Sequence, residues 1–302
     1  TSSDRDWSSD VCSSDLAKKT RQTSIVFEAR LEQRSANRLE LIAQLRRAIT
    51  DDEFCLYFQP KLNLRTNSIN QAEVLLRWNH PTHGLIAPGA FIELAEQTGM
   101  IREITRLVLK QTYAIINLCA NQNIRLSVNL SAMDLEDFSL IDFMQHMHSK
   151  QPDASRHIVL EITESAAMRD PEQALDILNQ LAAMHFQIAV DDFGTGYSSL
   201  AYLKRFPVTE LKIDRSLVQG ADIDTDGQII LESTIEMGHI MGLLVTTEGV
   251  ETQAEYELVK KLGADYVQGF WLSKPMSFDE FKLKHLIGNH DQMVHQDRKS
   301  VV

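Results

Sequence analysis

Cysteine is scarce in this chain, with three in 302 residues. Cys12, Cys55 and Cys119 have neither the spacing of a disulfide framework nor that of a thiolate metal site, and they fit a reducing compartment. Long apolar runs are missing, so no segment is long enough to cross a bilayer. The first twenty residues have no apolar core of a signal peptide, and the chain reads as cytoplasmic. Positive charge is in deficit: 30 Lys and Arg face 42 Asp and Glu, a net charge of −12. That balance argues against direct DNA binding, which needs a basic face. It leaves room for an anionic ligand wherever metal ions and a few local cations reverse the field.

With 43% hydrophobic and 24% charged residues, the composition is that of a globular protein able to bury a sizeable core. Residues 1–16, rich in Ser and Asp and without periodicity, read as a disordered or artefactual segment. Residues 289–302 read as a disordered tail. Residues 34–49 carry Leu39, Ile42, Leu45 and Ile49 at helical spacing, which predicts an amphipathic helix leading into the main domain. The expected boundaries are 17–44 for a linker and connector helix and 45–288 for the domain itself.

From residue 53 short apolar runs alternate with helical patterns. Candidate strands span 55–60, 71–78, 124–131, 157–164, 187–194, 209–214, 243–251 and 265–270. Helical stretches such as PGAFIELAEQTG, PEQALDILNQLAAMHF and TQAEYELVKKLG fill the gaps. The alternation predicts parallel pairing, and eight strands in about 240 residues predict an α/β fold of (β/α)8 TIM-like barrel type. No glycine-rich phosphate fingerprint follows the first strand, which argues against an open doubly wound sheet. Gln59, Glu73, Asn129, Glu161, Asp191, Lys212, Glu248 and Gln268 fall in or at the end of successive runs. In such a barrel the carboxyl ends of the strands surround the site.

The adjacent Asp191 and Asp192 stand out. Two carboxylates closing a buried strand cannot both stay ionised unless a positive charge sits between them, and a divalent ion is the simplest one. Glu73, Asn129, Glu161, Asp191 and Asp192 supply oxygen donors without clustered His or Cys, with Glu248 and Glu251 on a further acidic segment. Oxygen ligation favours Mg²⁺ or Mn²⁺ over Zn²⁺. The surplus of carboxylates suggests two ions about 3.5–4 Å apart bridged by Asp191, an arrangement suited to phosphodiester hydrolysis.

AEVLLRWNHP, VNLS, EITES, DDFGTGYSSL, LKIDRS, TEGVET and QGF, in this order, resemble the EAL-domain family over about residues 45–285. These are bacterial signalling phosphodiesterases that open cyclic di-GMP to linear pGpG. The resemblance implies metal ligands at Glu73, Asn129, Glu161, Asp191, Asp192 and Glu248. It implies catalytic roles for Lys212, Glu248, Glu251 and Glu164, with Lys212 close to the attacking water. Glu251 and Gln268 would support the metal shell. Gln59, Leu75, Arg77 and Asp214 would contact the dinucleotide, although Asp214 equally suits a helix cap. Glu164 would anchor the glycine-hinged loop 193–199 through groups such as Ser198. His80 reads as part of a turn, and Met168, Phe186 and Met237 as core.

Two positions depart from the family pattern: Val74 stands for the usual alanine of the signature triplet, and Thr247 for alanine before Glu248. Neither removes a functional group. The alternative reading is an EAL-type receptor that binds cyclic di-GMP without hydrolysing it. Residues 16–33 resemble the end of a GGDEF domain, which implies an upstream GGDEF or sensor domain. A homodimer is a further implication of the resemblance.

Overall fold

A computed structural model describes residues 38–119, 123–195 and 200–287. The expectations for residues 1–16, for the GGDEF-like segment, for Ser198 and for the tail lie outside them. Among the described residues ten strands form one sheet: β1 (Phe54–Asn63), β2 (Ser68–His80), β3 (Gly84–Ile86), β4 (Arg125–Leu130), β5 (Ile158–Thr163), β6 (Gln187–Phe193), β7 (Glu210–Ile213), β8 (Leu244–Thr247), β9 (Tyr266–Val267) and β10 (Met276–Ser277). The order runs β1-β9-β8-β7-β6-β5-β4-β2, and β1 pairs with β2 to close an eight-stranded barrel. Strands β3 and β10 are short additions on β2 and β1.

The expectation of uniform parallel pairing fails at one strand. From β2 through β9 the barrel strands are parallel, but β1 is antiparallel to both β2 and β9. The cause is the link between β1 and β2, a turn over residues 64–67. A parallel crossover needs a dozen residues or more, so this link permits only a hairpin. Asn63 Oδ1 accepts from the Arg65 and Thr66 amides, and Asn67 takes φ 52°, closing the turn. Gln59 therefore lies midway along a reversed strand, level with Glu73.

The reversal preserves the alternation of faces. Even-numbered residues of β1 and β2, among them Phe58, Val74 and Trp78, pack outward into the apolar layer beneath the helices. Phe58, for example, meets the rings of Phe278 and Phe281 at 5.5 and 5.7 Å. The odd-numbered Gln59, Lys61, Gln71 and Glu73 share the other face, and Lys61 reaches across the barrel to β4, β5 and β7.

The first described helix spans residues 38–50. Leu45 and Ala48 are fully buried, with Ile42 and Ile49 packed beside them, and burying a leucine contributes about 2 kcal/mol. Leu39, expected on the same stripe, is instead 68% exposed. The stretch 88–99 is a 3-10 turn, Pro88–Ala90, followed by the helix Ile92–Thr98. Phe186 is buried, while Met168 and Met237 are half-buried against the core. His80 Nδ1 accepts from the Thr82 and His83 amides, as a turn residue does.

Candidate active site

The mouth of the barrel is organised around one ammonium group. Lys212, on β7, is fully buried. Its Nζ lies 2.7 Å from Glu161 Oε2 on β5, 2.9 Å from Asp191 Oδ2 on β6 and 2.7 Å from Glu248 Oε1 just past β8. Glu73 Oε2 on β2 is at 3.9 Å. Four carboxylates from four parts of the chain thus surround a single cation, whose pKa they hold well above its usual value against the cost of burial.

Glu73 and Asp191 are held in turn by further donors. Asn129 donates to Glu73 Oε1 at 2.8 Å, and Gln268 donates to Glu73 Oε2 at 2.6 Å. Gln268 also donates to Gln59 Oε1 at 3.2 Å, and Gln59 donates to the Ser273 carbonyl. Asp191 Oδ1 accepts from the Asp192 amide. Asp192 takes φ 54°, and the β6–β7 register slips between Val190 and Phe193. On a regular strand adjacent side chains point apart. This irregularity brings the Asp192 carboxyl into the field of Asp191, Asp214 and Glu161.

The cluster is short of positive charge. Burial pushes Glu248 up to about 8, with Asp191 and Glu73 adding to the rise and Lys212 opposing it only in part. Burial likewise raises Glu73, and burial with the neighbouring Asp191 and Asp214 charges raises Asp192. Glu161, buried but gripped by two lysines, is instead held down, at about 2.

Among the described residues no three acidic, His or Cys side chains converge on one metal-sized point; the Lys212 ammonium holds the centre. The donor set nevertheless fits a hard divalent ion. It offers carboxylate and amide oxygens only, and its negative charge exceeds what the lysines neutralise.

Two glycines let the rim assemble. At Gly249, φ 66°, a Cβ would fall 2.2 Å from the Arg215 Cβ, and at Gly269 it would fall 2.0 Å from the Val250 carbonyl oxygen. These close approaches pack the segments that follow Glu248 and Gln268, at the ends of neighbouring strands, against each other and against Arg215.

The remaining expected residues are more dispersed. Arg77 is half-buried at the mouth end of β2, its guanidinium 5.4 Å from the centre of the Tyr57 ring. Leu75 is half-buried beside Tyr57 across the hairpin. Asp214 caps the helix Arg215–Val218, accepting from the Ser216 amide at 2.9 Å. Glu251 is exposed, and its amide donates to Glu255. Glu164 opens the short helix Glu164–Ala167 and lines a small apolar pocket with Met168, Val190, Phe193, Leu203 and Phe206.

Sequence reasoning missed a second layer beneath the site. Lys61 on β1, fully buried, donates to Glu161 Oε1 at 2.7 Å and Ser127 Oγ at 3.1 Å, and lies 3.5 Å from Glu210 Oε1. Thr246 donates to Glu210 Oε1 at 2.6 Å. The available signal was parity: Lys61 follows Gln59 by two residues, and Glu210 precedes Lys212 by two.

The family described as EAL domain matches residues 42–275. The bifunctional diguanylate cyclase/cyclic di-GMP phosphodiesterase MucR of Pseudomonas aeruginosa is 40% identical over 260 residues, covering 84% of this chain and 38% of MucR. The cyclic di-GMP phosphodiesterase NbdA of the same organism is 35% identical, over 85% of this chain and 33% of NbdA. The chain therefore spans between a third and two-fifths of the length of these relatives. Among solved structures, the MucR phosphodiesterase in complex with c-di-GMP superposes with a TM-score of 0.75 at 40% identity, covering 80% of this chain and 99% of that one. The FimX EAL domain of Pseudomonas aeruginosa bound to c-di-GMP gives 0.72 at 31% identity, covering 78% and 96%.

Proposed function

This chain belongs to the EAL domain family, and from that premise we propose that it is a bacterial phosphodiesterase that hydrolyses cyclic di-GMP to linear pGpG with the help of Mg²⁺ or Mn²⁺. The observation that carries the reading is the Lys212 cluster. A buried ammonium is ringed by Glu161, Asp191 and Glu248, with Glu73 and Asp192 beside it and negative charge left over.

Glu73, Asn129, Glu161 and Asp191 would hold one ion, and Asp191, Asp192 and Glu248 a second. Bound there, divalent ions supply Lewis acidity and lower the pKa of water. The chain's own groups do the rest. Lys212 places a fixed cation where negative charge grows on the oxygens around phosphorus, in a site that excludes most water. Gln268 and Asn129 fix both oxygens of Glu73. Arg77 would present a planar fork suited to a phosphate, with Gln59, Leu75 and Asp214 as further contacts to the dinucleotide. In the reaction a water oxygen bonds to phosphorus and the bond from phosphorus to the ribose 3′ oxygen breaks. That oxygen takes up a proton, with Glu248 and Glu251 as the candidates to move protons. Glu164 anchors the loop that follows Asp192. A homodimer and an upstream GGDEF or sensor domain complete the proposed setting, in the cytoplasm.

The test is to incubate the purified protein with cyclic di-GMP and Mg²⁺ or Mn²⁺ and resolve products by chromatography. pGpG should form, turnover in Ca²⁺ should be poor because that ion favours looser coordination, and Glu73→Ala should abolish turnover. Tight binding of cyclic di-GMP with no product would make the chain a receptor instead.

A further inference from the structure

No step of the proposed reaction uses Lys61, a lysine with no exposed surface that lies inside the barrel beneath the site. Burying a lone lysine costs several kcal/mol, and an apolar side chain of similar volume generally serves stability as well or better. The contacts of Lys61 indicate what the charge does. The two oxygens of Glu161 are gripped by different lysines: Oε1 by Lys61 from β1 and Oε2 by Lys212 from β7, each at 2.7 Å. The terminal torsion of a glutamate is otherwise broad and two-fold. Pinned from both sides, this carboxylate has one plane.

Lys61 is itself oriented. Ser127 on β4 accepts from it, and Glu210 on β7 stands at 3.5 Å, held by Thr246 on β8 at 2.6 Å. The supply of protons on Lys212 makes this matter. An ammonium has three, and Lys212 has three close carboxylates in Glu161, Asp191 and Glu248. If Glu161 turned away, Lys212 would be free to shift toward the other two.

We propose that Lys61 is a positioning residue: acting through Glu161, it fixes the orientation in which the carboxylate cluster meets a divalent cation, and thereby the place of Lys212. This rests on the metal-dependent reading of the site. It requires Thr246, Glu210 and Lys61 to act as one chain of contacts on Glu161.

The test uses the full chain and Mn²⁺ as probe. In the double variant Lys61→Met with Glu210→Gln one positive and one negative charge are removed together, so the net charge is unchanged. Thr246→Val alters the chain of contacts at its far end with almost no change in volume. Mn²⁺ affinity is read by calorimetry and ligand geometry by electron paramagnetic resonance, neither of which depends on turnover. The double variant is expected to bind Mn²⁺ about tenfold more weakly, the range seen when groups behind a metal ligand are lost, with a broadened resonance. Thr246→Val is expected to shift both in the same direction by a smaller factor. If the double variant fails to fold, Thr246→Val decides, and an unchanged affinity and resonance in it overturn the proposal. Wild-type values in a folded double variant also overturn it. So does tighter binding, because Lys61 would then act only by repelling the ion. Should the wild type bind Mn²⁺ yet leave cyclic di-GMP intact, the enzymatic reading fails while the positioning measurement still stands.

Discussion

Gln268 Nε2 lies 2.6 Å from Glu73 Oε2, so an amide just past the last barrel strand holds a carboxylate on the second. The strand between them, β1, contributes Gln59 to the same network, with its Oε1 3.2 Å from that amide nitrogen. One donor therefore spans the place where the reversed strand is inserted. Gln268→Leu is expected to leave Glu73 short of a donor and to raise the Mn²⁺ concentration for half-maximal turnover about tenfold or more. The melting temperature should move little by comparison. Metal dependence identical to wild type would remove Gln268 from the support of Glu73.

Gly269 admits no side chain without moving backbone. Its Cβ would lie 2.0 Å from the Val250 oxygen and 2.4 Å from the Val250 nitrogen. Gly269→Ala is expected to destabilise by about 3 kcal/mol, the upper part of what overpacking costs, as measured by urea unfolding. Loss of activity at unchanged stability would show instead that the loops slide apart without strain.

Gln71 is fully buried, and neither its Oε1 nor its Nε2 has a protein partner among the described residues. A buried amide without partners costs about 1–3 kcal/mol. Gln71→Met is expected to raise unfolding stability by about 1 kcal/mol. A fall of similar size would reveal that solvent inside the barrel satisfies the amide.

His285 packs 5.3 Å from the Phe281 ring, and its Nε2 has no partner among the described residues. Burial, helped by the Lys284 charge, lowers its pKa from 6.5 to about 4. The unfolded chain then takes up a proton as pH falls below 6.5, and the folded chain does so only near 4. Stability from this group is whole above 6.5 and is lost on acidification toward 4. The full shift corresponds to about 3 kcal/mol, and partial exposure reduces it to about 1–2 kcal/mol. Thermal melts from pH 7 to pH 4 should fall less steeply for His285→Phe than for wild type. Parallel slopes would exclude His285 as the source.

The ligand candidates were legible because apolar runs ending in acids leave little else to read. Eight strands in about 240 residues likewise pointed to the barrel. The direction of β1 was hidden, since an alternating strand looks the same either way, and only the short turn over residues 64–67 carried the information. Lys61 and Glu210 were hidden for a related reason. A charged residue inside an alternating strand ordinarily marks the solvent face, and here that face is the barrel interior. Asp214 reads equally as a site residue or a cap, and the structure gives it the cap while leaving its charge close enough to raise Asp192.

The reversal of β1 also decides where the chain enters. Phe54 begins β1 beside Trp78, at the carboxyl end of β2, rather than at the opposite pole of the barrel. Trp78 donates to Glu53, the Asn79 amide donates to the Glu53 carbonyl, and Gln44 meets His80, so the helix over residues 38–50 is moored to the last turn of the strand that bears Arg77. A push or twist delivered along that helix acts at the threshold of the cleft, without having to be relayed through the length of the barrel.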